Sequence, residues 1–156
     1  MKQDSTVKEQ SLNPQLNVRS TPQPAEVEAL DERVLEALRA ASEKKALNPV
    51  VLDLREIASF TDYFMIVSGA NERQVQAIAD EIYESLKKSG RTAARMEGYK
   101  TAEWILLDYG DFVVHVFEQK ARTFYDLERL WRESKRMELP AEFTVASSGS
   151  LRKERD

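Results

Sequence analysis

The chain has no cysteine among its 156 residues and only one histidine, His115. Without cysteine it can form neither disulfides nor thiolate nucleophiles, so the reducing cytoplasm is its simplest location. A zinc site or a Cys–His nucleophilic pair is not expected with a single histidine. No apolar run approaches the roughly 18 residues of a membrane span. The N-terminus carries acids and has no apolar signal-peptide core, so neither membrane nor export is expected.

The sequence motifs of phosphate-handling enzymes are also missing. Neither the Walker pattern G-x-x-x-x-G-K-[ST] nor the dinucleotide pattern G-x-G-x-x-G occurs. A metal-dependent nucleotidyltransferase would follow a Gly-Ser turn with paired carboxylates spaced as D-x-D; here only the Ser68-Gly69 turn is present. We therefore predict no enzymatic activity and no cofactor. The alternative is a nucleotide-binding or nucleotidyltransferase enzyme that uses this turn together with Asp53.

The charge balance favours a protein partner over a nucleic acid. The net charge is −4, which disfavours a surface that follows phosphate backbones. Acids far outnumber bases between Val50 and Leu86, and every charged residue from Glu103 to Glu118 is acidic. An acidic surface of this kind is repelled by RNA and attracted to a basic protein.

Composition divides the chain into one domain and two tails. Residues 1–24 are polar and contain three prolines, which predicts a disordered N-terminal tail. The domain is expected to span residues 25–139, and residues 140–156 are expected to form a flexible C-terminal tail. Apolar residues at spacings of three and four predict a first helix over Ala25–Ala46 that ends before Asn48-Pro49.

The run from Trp104 to Phe117, WILLDYGDFVVHVF, predicts two strands joined by a turn at Asp108–Asp111, with Gly110 supplying the positive φ. Both strands are apolar on both alternating faces, which is typical of strands in the middle of a sheet. Three further strands are predicted at Val50–Leu54, Tyr63–Val67 and Thr92–Met96.

Two further helices complete the predicted α/β (α+β) fold, a mixed sheet of roughly five strands flanked by helices. The first is Asn71–Ser89, with Asn71 as its N-cap, Gln74 completing a capping-box pattern and Gly90 as the C-terminal cap. The second is Thr123–Arg136, with four apolar residues on its inner face: Phe124, Leu127, Leu130 and Trp131.

Five blocks between Val27 and Trp131 carry a family resemblance: TDYFMIVSG, ERQVQAIAD, the dipeptide Glu97-Gly98, WILLDYGDFVVHVF and RTFYDLERLW. In this order they resemble the ribosomal silencing factor family, also called Iojap-like. The resemblance implies a nucleotidyltransferase-like fold without catalytic carboxylates. It also implies binding to the large ribosomal subunit through its protein fourteen, which blocks joining of the small subunit and lowers translation when nutrients are scarce. For the free protein it implies a homodimer.

The predicted partner-binding site is the hairpin with the loop before it, because aromatic anchors ringed by polar groups are typical of interface hot spots. Its residues are Glu97, Gly98, Trp104, Asp108, Tyr109, Asp111 and His115. The alternative is that Trp104 belongs to the core and that His115 is a buried residue with satisfied hydrogen bonds. A patch formed by Trp104 and His115 requires their two strand faces to coincide across the hairpin.

Overall fold

The computed structural model describes residues 29–144, which form one six-stranded mixed sheet with helices on both faces. The helices are α1 (Glu32–Glu43), α2 (Glu72–Lys88), α3 (Gln119–Tyr125) and α4 (Leu127–Leu130), and residues 141–144 form one more helical turn. The strands are β1 (Leu47–Asp53), β2 (Tyr63–Gly69), β3 (Arg95–Glu97), β4 (Trp104–Asp108), β5 (Phe112–Glu118) and β6 (Lys135–Arg136). The predicted N-terminal tail, the start of the predicted first helix and residues 145–156 lie outside the described residues.

The sheet has the order β3-β4-β5-β2-β1-β6, and its centre is the parallel pair β2–β5. Every residue of β2 is buried, and β5 is buried from Phe112 to Phe117. The predicted hairpin is confirmed, because β4 pairs antiparallel with β5 from Trp104↔Phe117 to Asp108↔Val113. Gly110 lies in its turn with φ 86°. The predicted mixed sheet is thus confirmed, with β6 as an additional edge strand.

Helices α1 and α2 cover one face of the sheet and enclose the larger hydrophobic core. The N-cap of α2 is Asn71 as predicted, since its side chain accepts a hydrogen bond from the Gln74 backbone N–H at 2.8 Å. The Gln74 side chain accepts from the backbone N–H of Ala70 and donates to the carbonyls of Lys44 and Lys45 at the end of α1. One side chain therefore joins the start of α2 to the end of α1. No helix within residues 29–144 is long and apolar enough to cross a membrane.

The predicted limits of the first helix were wrong. Helix α1 begins at Glu32, where the Asp31 side chain caps the Arg33 N–H, and it ends at Glu43. Lys45 has φ 60°, which takes the chain out of the helix before the proline is reached. The Asn48-Pro49 pair instead lies inside β1, where the pairing register with β2 shifts and Asn48 has φ 48°.

The prediction of one helix over Thr123–Arg136 is also wrong, because the helix is interrupted at Asp126. This residue is left-handed, with φ 49° and ψ 50°, and it separates α3 from the four-residue α4. Of the predicted inner face, Leu127 is buried, whereas Phe124 and Leu130 are 80% and 72% exposed. The chain then pairs along the free edge of β1 as β6, so strand hydrogen bonds replace the end of the predicted helix.

The packed chain extends past residue 139, where the predicted domain ends. Residues 141–144 are helical, and Phe143 is buried in the core under α1 and α2 together with Met137. The first residues of the predicted C-terminal tail therefore belong to the folded domain.

Gly98 and Gly110 make a matched test of backbone packing, because both have positive φ (83° and 86°). A Cβ at Gly98 would lie 2.1 Å from the Trp104 carbonyl oxygen, whereas a Cβ at Gly110 meets no atom within 4 Å. We expect Gly110→Ala to cost about 1 kcal/mol of unfolding free energy through backbone strain. Gly98→Ala should cost at least about 2 kcal/mol more, because backbone must move. Urea denaturation of both variants measures this; equal costs would contradict the close approach.

Candidate docking surface

The second face of the sheet carries a continuous row of contacting aromatic side chains that α3 and α4 only partly cover. Phe64 on β2 lies 5.7 Å from Trp131 and 4.4 Å from His115, measured between ring centroids. Trp104 on β4 lies 5.9 Å from His115 and 4.9 Å from Tyr125 on α3. Strand residues provide the fixed base of this aromatic row, and the short helices add its outer rings.

The outer rings of this aromatic row are exposed to solvent. Phe124, Phe60 and Tyr125 are 80%, 61% and 47% exposed, and each contacts another ring of the aromatic row. We define the aromatic surface as Phe60, Trp104, Phe124, Tyr125 and Trp131. Leu130 on α4 adds a large exposed apolar side chain to the same helical segment. Connected exposed apolar groups of this kind mark protein interaction sites.

Trp104 and His115 are in contact on this face, which is the condition that the sequence analysis set for a patch formed by the two residues. The register aligns Trp104 with Phe117 and Leu106 with His115, so the two strand faces coincide across the hairpin. The Trp104 indole N–H donates to Nδ1 of His115 at 3.1 Å. Nδ1 is therefore an acceptor, and the neutral ring carries its proton on Nε2. The hydrogen bond fixes the orientation of the half-buried tryptophan ring.

His115 is only 3% exposed, and burial lowers its pKa to about 3. Its Nε2 is buried without a hydrogen-bond partner among residues 29–144. The alternative prediction for His115 was a buried residue with satisfied hydrogen bonds. The residue is buried, but only one of its two ring nitrogens has a hydrogen-bond partner. The structure thus assigns His115 to the base beneath Trp104 and not to the exposed surface.

Three predicted residues lie along the β3–β4 edge beside Trp104. Arg95 on β3 bridges two of them, with contacts of 2.9 Å to the Glu97 carboxylate and 3.1 Å to the Asp108 carboxylate. By the register of β3 with β4, these two acids share the sheet face that carries Trp104. Gly98 follows β3 and allows the loop to approach the Trp104 backbone.

The remaining two predicted residues do not join this group, because they face α1 and α2. Tyr109 stacks on Phe112 at 4.9 Å and packs against the core under α1 and α2. Burial raises its pKa to about 12, and its hydroxyl has no hydrogen-bond partner within residues 29–144. Asp111 accepts a 3.0 Å hydrogen bond from Arg33 on α1. Both residues therefore tie the hairpin turn to the helix layer.

Sequence reasoning missed the exposure of Phe124 and Leu130, and it missed Phe60 and Tyr125 altogether. No local signal distinguished these residues, because adjacent residues can share the buried stripe of a helix, as Ile78 and Ala79 do in α2.

The rim of the aromatic surface carries both signs of charge. At the β3–β4 edge, Glu97 and Asp108 exceed by one negative charge the Arg95 that bridges them. Exposed Lys120, Arg129 and Arg132 lie in or beside α3 and α4. The acidic bias seen in the strand segments therefore describes only one side of this surface.

The structure separates the two residues on which the nucleotide-binding alternative rests. Ser68 lies at one end of β2 and Asp53 pairs with Tyr63 at the other, about 17 Å away for five residues of strand. Ser68 is 1% exposed, and its hydroxyl accepts a hydrogen bond from Arg122. Asp53 is held by Arg55, whose side-chain hydrogen bonds lower the pKa of the carboxyl. The two residues cannot act on one phosphate.

His115 predicts a specific pH dependence of stability. Its folded pKa of about 3 lies below its ordinary value of 6.5, so between these values the unfolded chain binds a proton that the folded chain does not. Stability is therefore complete above pH 6.5 and falls as the pH drops, by about 1.4 kcal/mol for each unit well below 6.5. Urea denaturation between pH 7.5 and 5 measures this loss.

The control is His115→Gln, which removes the only histidine and hence the only side chain with an ordinary pKa in this window. We expect the variant to be less stable at pH 7.5 but to lose little more between pH 6.5 and 5. Parallel pH profiles for parent and variant would show that His115 is not held in its neutral form.

Comparison with known proteins agrees with this fold. The family described as "Ribosomal silencing factor during starvation" matches residues 27–156. Proteins named ribosomal silencing factor from Halalkalibacterium halodurans and Bacillus subtilis are 43% and 42% identical. These alignments cover 66% and 63% of this chain, and 88% and 83% of the relatives. A chloroplast Iojap protein of Zea mays is 35% identical, over 65% of this chain and 44% of its own length.

Two solved structures match as well. A crystal structure from Chromobacterium violaceum has a TM-score of 0.64 at 32% identity, and it covers 70% of this chain and 88% of its own. One from Bacillus halodurans has a TM-score of 0.63 at 42% identity, with 69% and 98% covered. Because the family match spans all of the described residues, the chain belongs to the ribosomal silencing factor family.

Proposed function

We propose that this protein binds the large ribosomal subunit through its protein fourteen in the cytoplasm and blocks joining of the small subunit. Translation then falls when nutrients are scarce. Family membership supports a ribosome-silencing role. The proposed mechanism is steric and needs no cofactor, since a compact domain can cover an interface of about 800 Å² on its partner.

The observation that carries the proposed docking mode is the exposed aromatic surface. Aromatic side chains that are held rigidly and surrounded by polar groups supply most of the binding free energy of an interface. Trp104 meets this description, because its ring lies 4.8 Å from Phe117 and its indole N–H is fixed by His115. Phe124 and Tyr125 extend the same surface outward at a mutual distance of 5.0 Å.

The charged rim supports a basic protein as the direct partner. The acidic edge at Glu97 and Asp108 lies beside Trp104, where opposite charge on the partner aids encounter and orientation. Tyr109 and Asp111 face the helix layer, so the proposed docking surface retains the predicted residues around Trp104 and leaves these two out.

Phe124→Ala tests this surface. Its side chain is 80% exposed, so its loss should change the unfolding free energy by less than about 0.5 kcal/mol. Affinity for purified large subunits should fall by at least about 2 kcal/mol, or roughly thirtyfold. Sedimentation on sucrose gradients should also show that the variant no longer keeps added small subunits from joining. Fluorescence titration gives the affinity.

Tyr99→Ala is the matched control, because Tyr99 is a partly exposed aromatic residue that contacts α2 through Asp80 and Gln76. It should bind and inhibit like the parent protein. Equal binding by the Phe124 variant would place the docking surface elsewhere.

Light scattering of the same proteins tests the homodimer that we also propose, and a monomer at high micromolar concentration would contradict the homodimer.

A further inference from the structure

Arg122 forms a polar clamp at the place where α3 and α4 join the sheet. Its side chain is 12% exposed and reaches three separate elements. Nη1 donates to the Ser68 hydroxyl at the end of β2 and to the Asn48 carbonyl in β1, both at 2.8 Å. Nε and Nη2 donate to the two oxygens of Glu128 on α4, each at 3.1 Å. Four of the five guanidinium N–H groups are thus engaged.

These contacts leave the guanidinium with little capacity for a ligand. A cleft of about 400 Å³ adjoins the clamp, lined in part by Gln119, Thr123 and Asp126. Glu128 and Arg122 form a bidentate pair, which is geometrically specific, and the same carboxylate also accepts from Arg136 at 3.3 Å. The arrangement is therefore that of a structural fastening and not of an anion site.

Besides this clamp, the segment is attached to the sheet by two buried apolar residues and by the ring contacts of Tyr125 and Trp131. Helix α3 has seven residues and α4 has four, and each buries one residue, Ala121 and Leu127 respectively. Helices of this length are not stable by themselves. Between them, Asp126 turns the chain through a left-handed conformation, so the direction of α4 relative to α3 needs a tertiary constraint. Arg122 spans this turn by holding Glu128.

We infer that Arg122, through Ser68 and Glu128, positions the α3–α4 corner and thereby sets the geometry of the aromatic surface. The inference rests on the proposed function, because the corner carries Phe124, Tyr125 and Leu130. A corner that is ordered before binding loses less conformational entropy on docking. Without the clamp, the same side chains are present but are no longer held in one arrangement.

Ser68→Ala is the sharpest test, because Ser68 is 1% exposed and cannot touch a partner. An effect on docking that does not come from a general loss of stability is therefore transmitted through Arg122, which donates to the Ser68 hydroxyl. We expect faster amide hydrogen exchange in residues 119–131 and a loss of affinity for purified large subunits of about threefold to tenfold. Arg122→Lys, which keeps the charge but cannot form the bidentate pair, should show the same pattern with a loss of more than about tenfold.

The matched control is Arg33→Lys. Arg33 is also a partly buried arginine. It pairs with Asp31 at the start of α1 and ties α1 to the hairpin turn through Asp111. Its loss should lower global stability and leave both affinity and the exchange of residues 119–131 unchanged. In the double variant Arg122→Lys/Phe124→Ala, the loss of affinity should be smaller than the product of the single losses, since a mobile corner presents Phe124 poorly.

Two results would overturn the inference: unchanged exchange of residues 119–131 in Arg122→Lys, or normal affinity despite faster exchange. Equal loss of affinity in Arg33→Lys would also overturn it, by showing that general destabilisation is the cause. If the parent protein does not bind large subunits, the proposed function fails. The exchange measurement then still decides whether Arg122 holds the corner.

Discussion

The parallel pairing of β2 with β5 is the constraint on which the rest of the structure depends. It runs without interruption from Tyr63↔Phe112 to Gly69↔Glu118, and nearly all of both strands is buried. Parallel neighbours cannot be joined by a tight turn, so the intervening chain has to leave the sheet and return. That path supplies α2 and then the strands β3 and β4, which extend the sheet beside β5. The two faces of the resulting sheet are covered very differently.

This difference in cover explains where the exposed aromatic residues lie. Helices α1 and α2 together enclose the larger core, whereas the second face receives only the short helices α3 and α4. Strand side chains such as Phe64 and Phe117 are fully packed there, but the rings beyond them reach solvent. The well-covered face holds the larger set of buried apolar side chains. The thinly covered face is left with the apolar area that a partner can bury.

Polar contacts on the second face orient groups that apolar packing alone would leave free. His115 fixes the Trp104 ring, and Arg122 fixes the α3–α4 corner across the left-handed Asp126. Buried polar contacts of this sort add little net stability, because desolvation offsets most of their attraction. Their value is geometric, since hydrogen bonds are directional and hydrophobic contacts are not. Each contact lies beneath or beside a residue of the aromatic surface.

The sequence by itself determined the elements whose pattern and end signals agree. Helix α2 has an apolar stripe between an Asn71 cap and Gly90, and the hairpin has apolar strands around Gly110, so local chemistry was sufficient for both. The tertiary structure alone decided the fate of the chain after Thr123. Its apolar spacing is helical, but the edge of β1 offered strand pairing and Arg122 offered a clamp across Asp126. The β1 edge that pairs with β6, and the Asn48 and Ser68 groups that hold Arg122, all lie more than 50 residues away in sequence. A local pattern carries no information about such distant contacts.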